Sequence, residues 1–381
     1  MTESVLEQVR AVLVRTGAAP TESAVAAALR ESGVVLGQDA VVSLARRLRA
    51  DLVGAGPLEA LLAEPGVSDI VVNGPREVYV DRGEGLEPAD VVFADAREVR
   101  RLAVRLAIAC GRRLDDASPW VDATLPDGTR VHAVLPPIAP DGPLVCLRVL
   151  ARRTLSVPDL VASRTVAADA EPLLARLITS RLSFLVTGGT GAGKTTVLAA
   201  LLSTVPARER LVVVEDTREL VPRHPHVVRL LARPANVEGT GAVGLDDLVR
   251  QALRMRPDRL VVGEVRGAEV VDMLAALNTG HDGGCATVHA NSSRDLPARL
   301  EALGVAAGLD RAAIHSQAAA GLQVVVHLAR TRSRRRLAEL AVLTRRGGEV
   351  EVAAGFTWDA EGRRHPGPAA AVLGDLLGGP L

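Results

Sequence analysis

Aromatic side chains make up only 2% of the chain, and lysine is almost absent: of 45 basic residues, all but Lys194 are arginine. With so few aromatics, the stacking platforms on which non-specific single-strand binders seat successive bases are not evident. Cysteine is sparse as well. Cys110, Cys146 and Cys285 are odd in number, far apart and in no ligand-like pair, which argues against a disulfide framework and a local cysteine-type zinc site and fits a reducing cytosol. Charge of one sign is also missing, since 45 acidic residues balance the 45 basic ones, and this argues against holding nucleic acid or anionic lipid through bulk positive charge. No apolar stretch approaches the roughly 18–20 residues that span a bilayer. The first residues, Met1-Thr2-Glu3-Ser4-Val5-Leu6-Glu7, lack the basic start and apolar run of a secretory signal. The expected location is therefore the cytosol, or a membrane surface reached through partners. What the chain does have is apolar content, 48% of 381 residues, ample for two to three domains and more than one core.

A single lysine in an arginine-rich chain marks a place where a compact ammonium on a flexible stem does what a planar guanidinium cannot. It falls in Gly188-Gly189-Thr190-Gly191-Ala192-Gly193-Lys194-Thr195, a complete Gly-x4-Gly-Lys-Thr phosphate-binding loop. The flanks agree: Ser183-Phe184-Leu185-Val186 reads as a short buried strand, and the run from Thr196 to Leu202 as the helix that must follow. Backbone N–H groups of the loop and helix start would cradle phosphates, with Lys194 reaching the β and γ groups and the Thr195 hydroxyl ligating Mg2+.

Downstream the apolar runs continue an alternation of strand and helix. Leu211-Val212-Val213-Val214 reads as a buried strand opening into Glu215-Asp216-Thr217-Arg218-Glu219, so acidic groups emerge where open sheets place their ligands. Leu245, Leu248, Val249, Ala252 and Leu253 recur at helical spacing, and Leu260-Val261-Val262-Gly263-Glu264 is a second strand that ends on a carboxylate. Such an acid can act on a magnesium shell or orient attacking water. Cys285-Ala286-Thr287-Val288-His289 is a third strand, after a polar turn that carries His281 and Asp282. Either histidine can hydrogen-bond a γ-phosphate or relay its state, and the pair with Asp282 also reads as a metal set, although no further ligand cluster supports it.

Together these segments resemble the secretion-traffic ATPases of type II and type IV secretion and type IV pilus assembly, nearest to the tight-adherence (Flp) pilus and conjugal-transfer branch. The likeness runs from about Gly56 to about Leu343. On it, Gly188 to Thr196 match the Walker A loop, Glu215 to Glu219 the Asp box, Gly263-Glu264 an atypical Walker B, and His289 the His box. The resemblance implies ATP and Mg2+ as cofactors. It makes Glu264 the first choice for activating water, with Glu215 and Glu219 as alternatives, and Thr195, Glu215 and Glu264 the groups nearest the metal. Arg218, Arg254, Arg256 and Arg266 match arginines that sense the γ-phosphate or contact a neighbouring subunit, and each is also readable as an ordinary salt-bridge residue.

The amino-terminal half reads as a small α/β domain. Val67–Gly74 and Glu77–Arg82 alternate as a hairpin about Asn73-Gly74-Pro75, a helix spans roughly Val99 to Cys110, and Asp127–Val134 and Leu144–Val149 are further strands. The resemblance makes this domain PAS-like and brings Arg130 and Arg148 to the phosphates, while solvent-facing strand positions are the plainer reading of both. The expected organisation is a helical segment over 1–50, the small domain over 51–150, a hinge over 151–166 and a RecA-like ATPase domain over 167–381. Residues 1–50 read as amphipathic helices packed on a core or docking a membrane component. The arginine run from Arg330 to Arg336, between two apolar strands, reads as a solvated turn. The implied protein is a hexameric cytoplasmic motor working on an inner-membrane platform protein, for pilus assembly or secretion. The alternatives are a DNA-transfer motor, a helicase-like motor and a nucleotide-gated scaffold without turnover.

Overall fold

A computed structural model of the chain describes residues 3–34, 36–52, 54–83, 85–149, 154–235, 239–331 and 334–379. It divides into two compact units, Met1–Ala151 and Arg152–Leu381.

The first unit opens with three helices, α1 (Glu3–Thr16), α2 (Glu22–Glu31) and α3 (Gln38–Leu52). Leu6, Val9 and Leu13, Val25 and Leu29, and Leu44 and Leu48 recur at helical spacing, so each helix buries one stripe in a core the three share. The apolar face expected around Leu44, Ala45 and Leu48 is thus turned inward. After a short α4 (Glu59–Ala63) come β1 (Asp69–Gly74), β2 (Glu77–Asp81), β3 (Leu86–Pro88), α5 (Ala96–Ala109), β4 (Trp120–Thr124), β5 (Arg130–Val134) and β6 (Leu144–Arg148). The sheet order is β3-β2-β1-β6-β5-β4, with every neighbouring pair antiparallel. Strand side chains alternate: Ile70, Val72, Val131, Ala133, Val145 and Leu147 join Val99, Leu102 and Leu106 of α5 in one core, while the other face mixes charged residues such as Arg130 and Arg148 with half-buried apolar ones such as Val71 and Leu144. Asp95 starts α5 by accepting the Glu98 N–H at 2.9 Å.

The second unit runs α6 (Val157–Ala162), α7 (Glu171–Thr179), β7 (Phe184–Gly188), α8 (Lys194–Leu202), β8 (Leu211–Glu215), β9 (Val227–Leu231), α9 (Leu245–Leu253), β10 (Arg259–Val265), α10 (Glu269–Leu277), β11 (Cys285–His289), α11 (Leu296–Ala306), α12 (Arg311–Gly321), β12 (Val324–Arg330), β13 (Arg335–Arg346), β14 (Glu349–Trp358), β15 (Arg364–Pro366) and α13 (Ala370–Leu376). Its strands order as β15-β14-β13-β12-β7-β11-β10-β8-β9. From β12 to β9 all pairs are parallel, and β13 to β15 extend the sheet as an antiparallel meander. Strands covered on both faces need apolar residues at every position, which is why β7, β8, β10 and β11 read as continuous apolar runs. One core packs Phe184 and Val186 against α6, α7, α8 and α13, and the other packs Leu185, Val212 and Val262 against α9 to α12. This is a RecA-like sheet preceded along the chain by a smaller α/β unit, the fold class the sequence predicts.

Much of the expected hinge is built into that core. Residues 151–153 lie outside the described residues, but Val157, Leu160 and Val166 are buried against the α8 side of the sheet. Ser156 and Asp159 cap α6 reciprocally, with Ser156 N donating to Asp159 Oδ2 at 2.8 Å. Among the described residues, no helix is long and apolar enough to cross a membrane.

Candidate active site

Strand β7 delivers the phosphate loop. Its last residue, Gly188, lies so close to β12 that a Cβ there would sit 2.5 Å from the Leu328 carbonyl oxygen, so no side chain fits. Gly193 takes a left-handed φ of 93° as the cap of α8, and the turn between them closes with Ala192 N donating to Gly189 O at 3.3 Å. The chain thereby enters α8 with its first-turn N–H groups directed along the helix axis, the arrangement that binds anions. Thr195 is half-buried at this helix start, and Thr190 and Thr196 are exposed.

Lys194 folds over the loop, donating to the carbonyls of Gly188 at 3.1 Å and Gly189 at 3.2 Å. Burial pushes its ammonium below the ordinary value, with Glu264 and Glu219 pulling the other way. The Nζ is also 3.1 Å from Nε2 and 3.3 Å from Nδ1 of His289. Near-equal distances place the ammonium against the ring rather than along either lone pair. His289 ends β11, in register with Gly188, and its Nε2 is 2.7 Å from Glu264 Oε1. A neutral ring whose Nε2–H donates to Glu264 satisfies that contact. Burial and then the Lys194 charge lower the pKa of His289, in keeping with neutrality. Glu264 Oε2 in turn meets Arg266 Nη2 at 2.6 Å, and the same guanidinium reaches Asp216 Oδ2 at 3.3 Å. Phosphate loop, His box, Walker B glutamate and Asp-box loop are therefore joined through five side chains.

Glu215 departs from its expected role. It closes β8 at 3% exposure, and Oε1 accepts from the backbone N–H groups of Leu220 at 2.7 Å and Glu219 at 3.1 Å. Gly263 on β10 makes the room, because a Cβ there would be 2.6 Å from Glu215 Cγ. Burial drives the carboxyl up to about 7, against the pull of the two N–H donors. So placed, one oxygen of Glu215 braces the acidic loop and is not free for a metal, while Oε2 is buried without a hydrogen-bond partner. Glu219 and Arg218 are exposed on the loop that Glu215 holds. His281 is turned away to the Ala276 carbonyl at the end of α10, 3.2 Å from its Nδ1. The described residues contain no group of three or more His, Cys, Asp or Glu side chains disposed to hold a metal by themselves.

In the first unit, Arg130 and Arg148 stand opposite each other across β5 and β6. Arg148 Nε donates to Asp69 Oδ1 at 2.9 Å and Arg130 lies 3.5 Å from Asp122. They line a shallow cavity of about 300 Å³ with His132 and Cys146.

Two features escape the sequence. Asp216 and Arg266 are tied to Glu264 by the pairing of β8 with β10, which no local motif announces. Of the arginine run expected as a solvated turn, Arg332 lies outside the described residues, Arg330 closes β12, and Arg335 and Arg336 open β13; Arg335 Nε donates to the Gly191 carbonyl at 2.9 Å, so it is part of the surroundings of the phosphate loop.

The family described as Type II/IV secretion system protein matches residues 51–365. This chain belongs to that family. A putative conjugal transfer protein of Mycobacterium tuberculosis is 55% identical over 350 residues, 90% of this chain and 98% of that protein. The conjugal transfer protein TrbB of Rhizobium radiobacter is 32% identical over 68% of this chain and 78% of its own length. Among solved structures, the pilus retraction motor PilT with bound ADP superposes with a TM-score of 0.51 at 20% identity, covering 78% of this chain and 80% of that one, a likeness of fold.

Proposed function

We propose that this family member is a nucleoside-triphosphatase motor that hydrolyses MgATP to drive assembly of a Flp or type IV-like pilus or a type II or IV secretion system. One observation carries the reading: the lysine of a complete phosphate loop, the His-box histidine and the strand-end Glu264 are linked by contacts of 3.1 and 2.7 Å. Oxygen donors predominate around the loop, and the Thr195 hydroxyl with Glu264 and Glu219 suits a hard divalent cation such as Mg2+. Bound there, the metal would neutralise charge that develops on the phosphates.

The residues of the chain do the rest. Loop N–H groups and Lys194 bind and orient the phosphates, Glu264 orients the attacking water and takes up its proton, and His289 holds the Glu264 carboxylate in place. Arg266 pairs with the other oxygen of that carboxylate. Glu215 sets the shape of the loop that carries Glu219. Arg130 and Arg148 are proposed phosphate contacts from the smaller domain, with Arg218 a further candidate from the Asp-box loop. Such motors work as closed rings, so a homo-oligomer, six subunits by family likeness, is part of the proposal. So are a cytoplasmic location and docking on an inner-membrane platform protein. The names of the conjugal relatives favour DNA transfer as a second reading.

Steady-state ATP hydrolysis tests this. Lys194→Ala is expected to abolish turnover, and Glu264→Gln to keep nucleotide binding while losing at least about a hundredfold in kcat. Wild-type turnover in Glu264→Gln would refute the assignment of the water-activating group. Stimulation by single-stranded DNA would favour the transfer motor, and its absence the pilus or secretion motor.

A further inference from the structure

The hairpin that joins β12 to β13 carries a second set of charges to the phosphate loop. Arg330 ends β12, Arg335 begins β13, and the two are directly opposed in the antiparallel ladder, so their side chains leave the same face. Two strand positions earlier, Leu328 is paired with Gly188, and this register fixes the hairpin beside the loop. Arg335 Nε holds the Gly191 carbonyl at 2.9 Å, and a Cβ on Gly193 would lie 3.5 Å from Arg335 Cδ. The Arg330 guanidinium occupies the space that a side chain at Gly191 would need, which, with a φ of +70° there, restricts that position to glycine. Both arginines are exposed, and among the described residues neither is paired with a carboxylate.

Like charges directly opposite in a sheet repel. Exposed arginines opposite each other would be expected to splay apart into water, yet Arg335 is held by the Gly191 carbonyl and Arg330 lies against the same loop, the one whose backbone donors bind phosphate. An anion between them would turn the repulsion into attraction, and a guanidinium presents a fork of donors that matches phosphate oxygens.

We propose that Arg330 and Arg335 form a clamp on the polyphosphate of the bound nucleotide, adding two guanidinium groups to the ammonium of Lys194. This rests on the nucleotide reading above and deepens it: the recognised group is a nucleoside di- or triphosphate, gripped by both the phosphate loop and the β12–β13 hairpin. Arg335 has a dual role, since it also supports the loop through Gly191.

Titration of the full chain with a fluorescent ADP analogue and Mg2+ tests the clamp, with unlabelled ADP as competitor. Loss of a charge-assisted contact predicts that Arg330→Gln and Arg335→Gln each weaken ADP binding about ten- to hundredfold. Arg335→Lys should restore much of the affinity, because the charge remains when the Nε bond to Gly191 does not. Arg330→Glu gives a readout that a packing role would not move: the glutamate pairs with Arg335, so the melting temperature without nucleotide rises while stabilisation by ADP disappears. ADP binding within twofold of wild type in both glutamine variants, alongside lost binding in Lys194→Ala, would overturn the clamp and leave the nucleotide reading intact. Reduced affinity in Arg335→Lys with wild-type affinity in Arg330→Gln would reduce Arg335 to loop support and overturn it too. Failure of the wild type itself to bind ADP or ATP would overturn the nucleotide reading and the clamp together.

Discussion

Replacing Glu215 by glutamine should make the protein more stable at alkaline pH, although it removes a carboxylate from the centre of the motif. The carboxyl is pushed from an ordinary 4.5 to about 7 chiefly by burial, so the fold favours its protonated form. The stability this contributes is fully present below pH 4.5 and is lost as pH rises through 7. The shift corresponds to about 3 kcal/mol that the wild type forgoes at pH 8, falling below about 1 kcal/mol at pH 5. Glutamine copies the protonated acid: its Oε1 still accepts from Leu220 and Glu219, and it cannot ionise. Thermal and urea melts of wild type and Glu215→Gln across pH 5 to 8 read the difference, in which titrations common to both proteins cancel. At about 2–4 °C per kcal/mol for a unit of this size, the variant should melt about 6–12 °C higher at pH 8 and nearly level with wild type at pH 5. A constant gap across that range would refute the claim that Glu215 is neutral in the fold at low pH and strained by ionisation at high pH.

Two further outcomes follow from the site geometry. Gly188→Ala forces a Cβ to 2.5 Å from Leu328 O at a φ of +151°; it should cost about 3 kcal/mol or more and abolish nucleotide binding, and a folded, ADP-binding variant with an unchanged urea midpoint would show that β7 and β12 can separate at no cost. His289 must be neutral to tolerate the Lys194 ammonium against its ring, so kcat should fall as pH drops through a histidine pKa below 6.5. In His289→Gln that acid limb should vanish and turnover drop about a hundredfold; an unchanged limb would assign it to another group.

The phosphate loop was legible because its determinants are contiguous: Gly188, Gly191 and Gly193 all take positive φ within one short segment, and Lys194 stood out against the arginine background. The both-sides-buried strands β7, β8, β10 and β11 were legible for a similar reason, a run of apolar residues being the only composition such strands tolerate. Strand β3 is three exposed residues and β4 mixes Trp120 and Asp122 with apolar neighbours, so neither carries a periodic signal. Acidity at a strand end suggests display to ligand, whereas Glu215 is turned inward. Its inward turn depends on a gap left by Gly263, 48 positions away in the chain and next to it only once β8 and β10 pair. The arginine run suffered the same way. Charge density is a property of the sequence, whereas proximity to Gly191 is a property of the register of β12 on β7.

The solitary lysine has a practical consequence for handling this molecule. A lysine-specific protease has a single peptide bond to attack in this sequence, Lys194–Thr195, and it lies in the first turn of α8, whose Lys194 is 7% exposed. Digestion would therefore yield two pieces, 1–194 and 195–381, and only from molecules in which that turn has come undone. The rate at which the intact band disappears on a gel would count openings of the phosphate loop directly, and any ligand seated there should slow the clock.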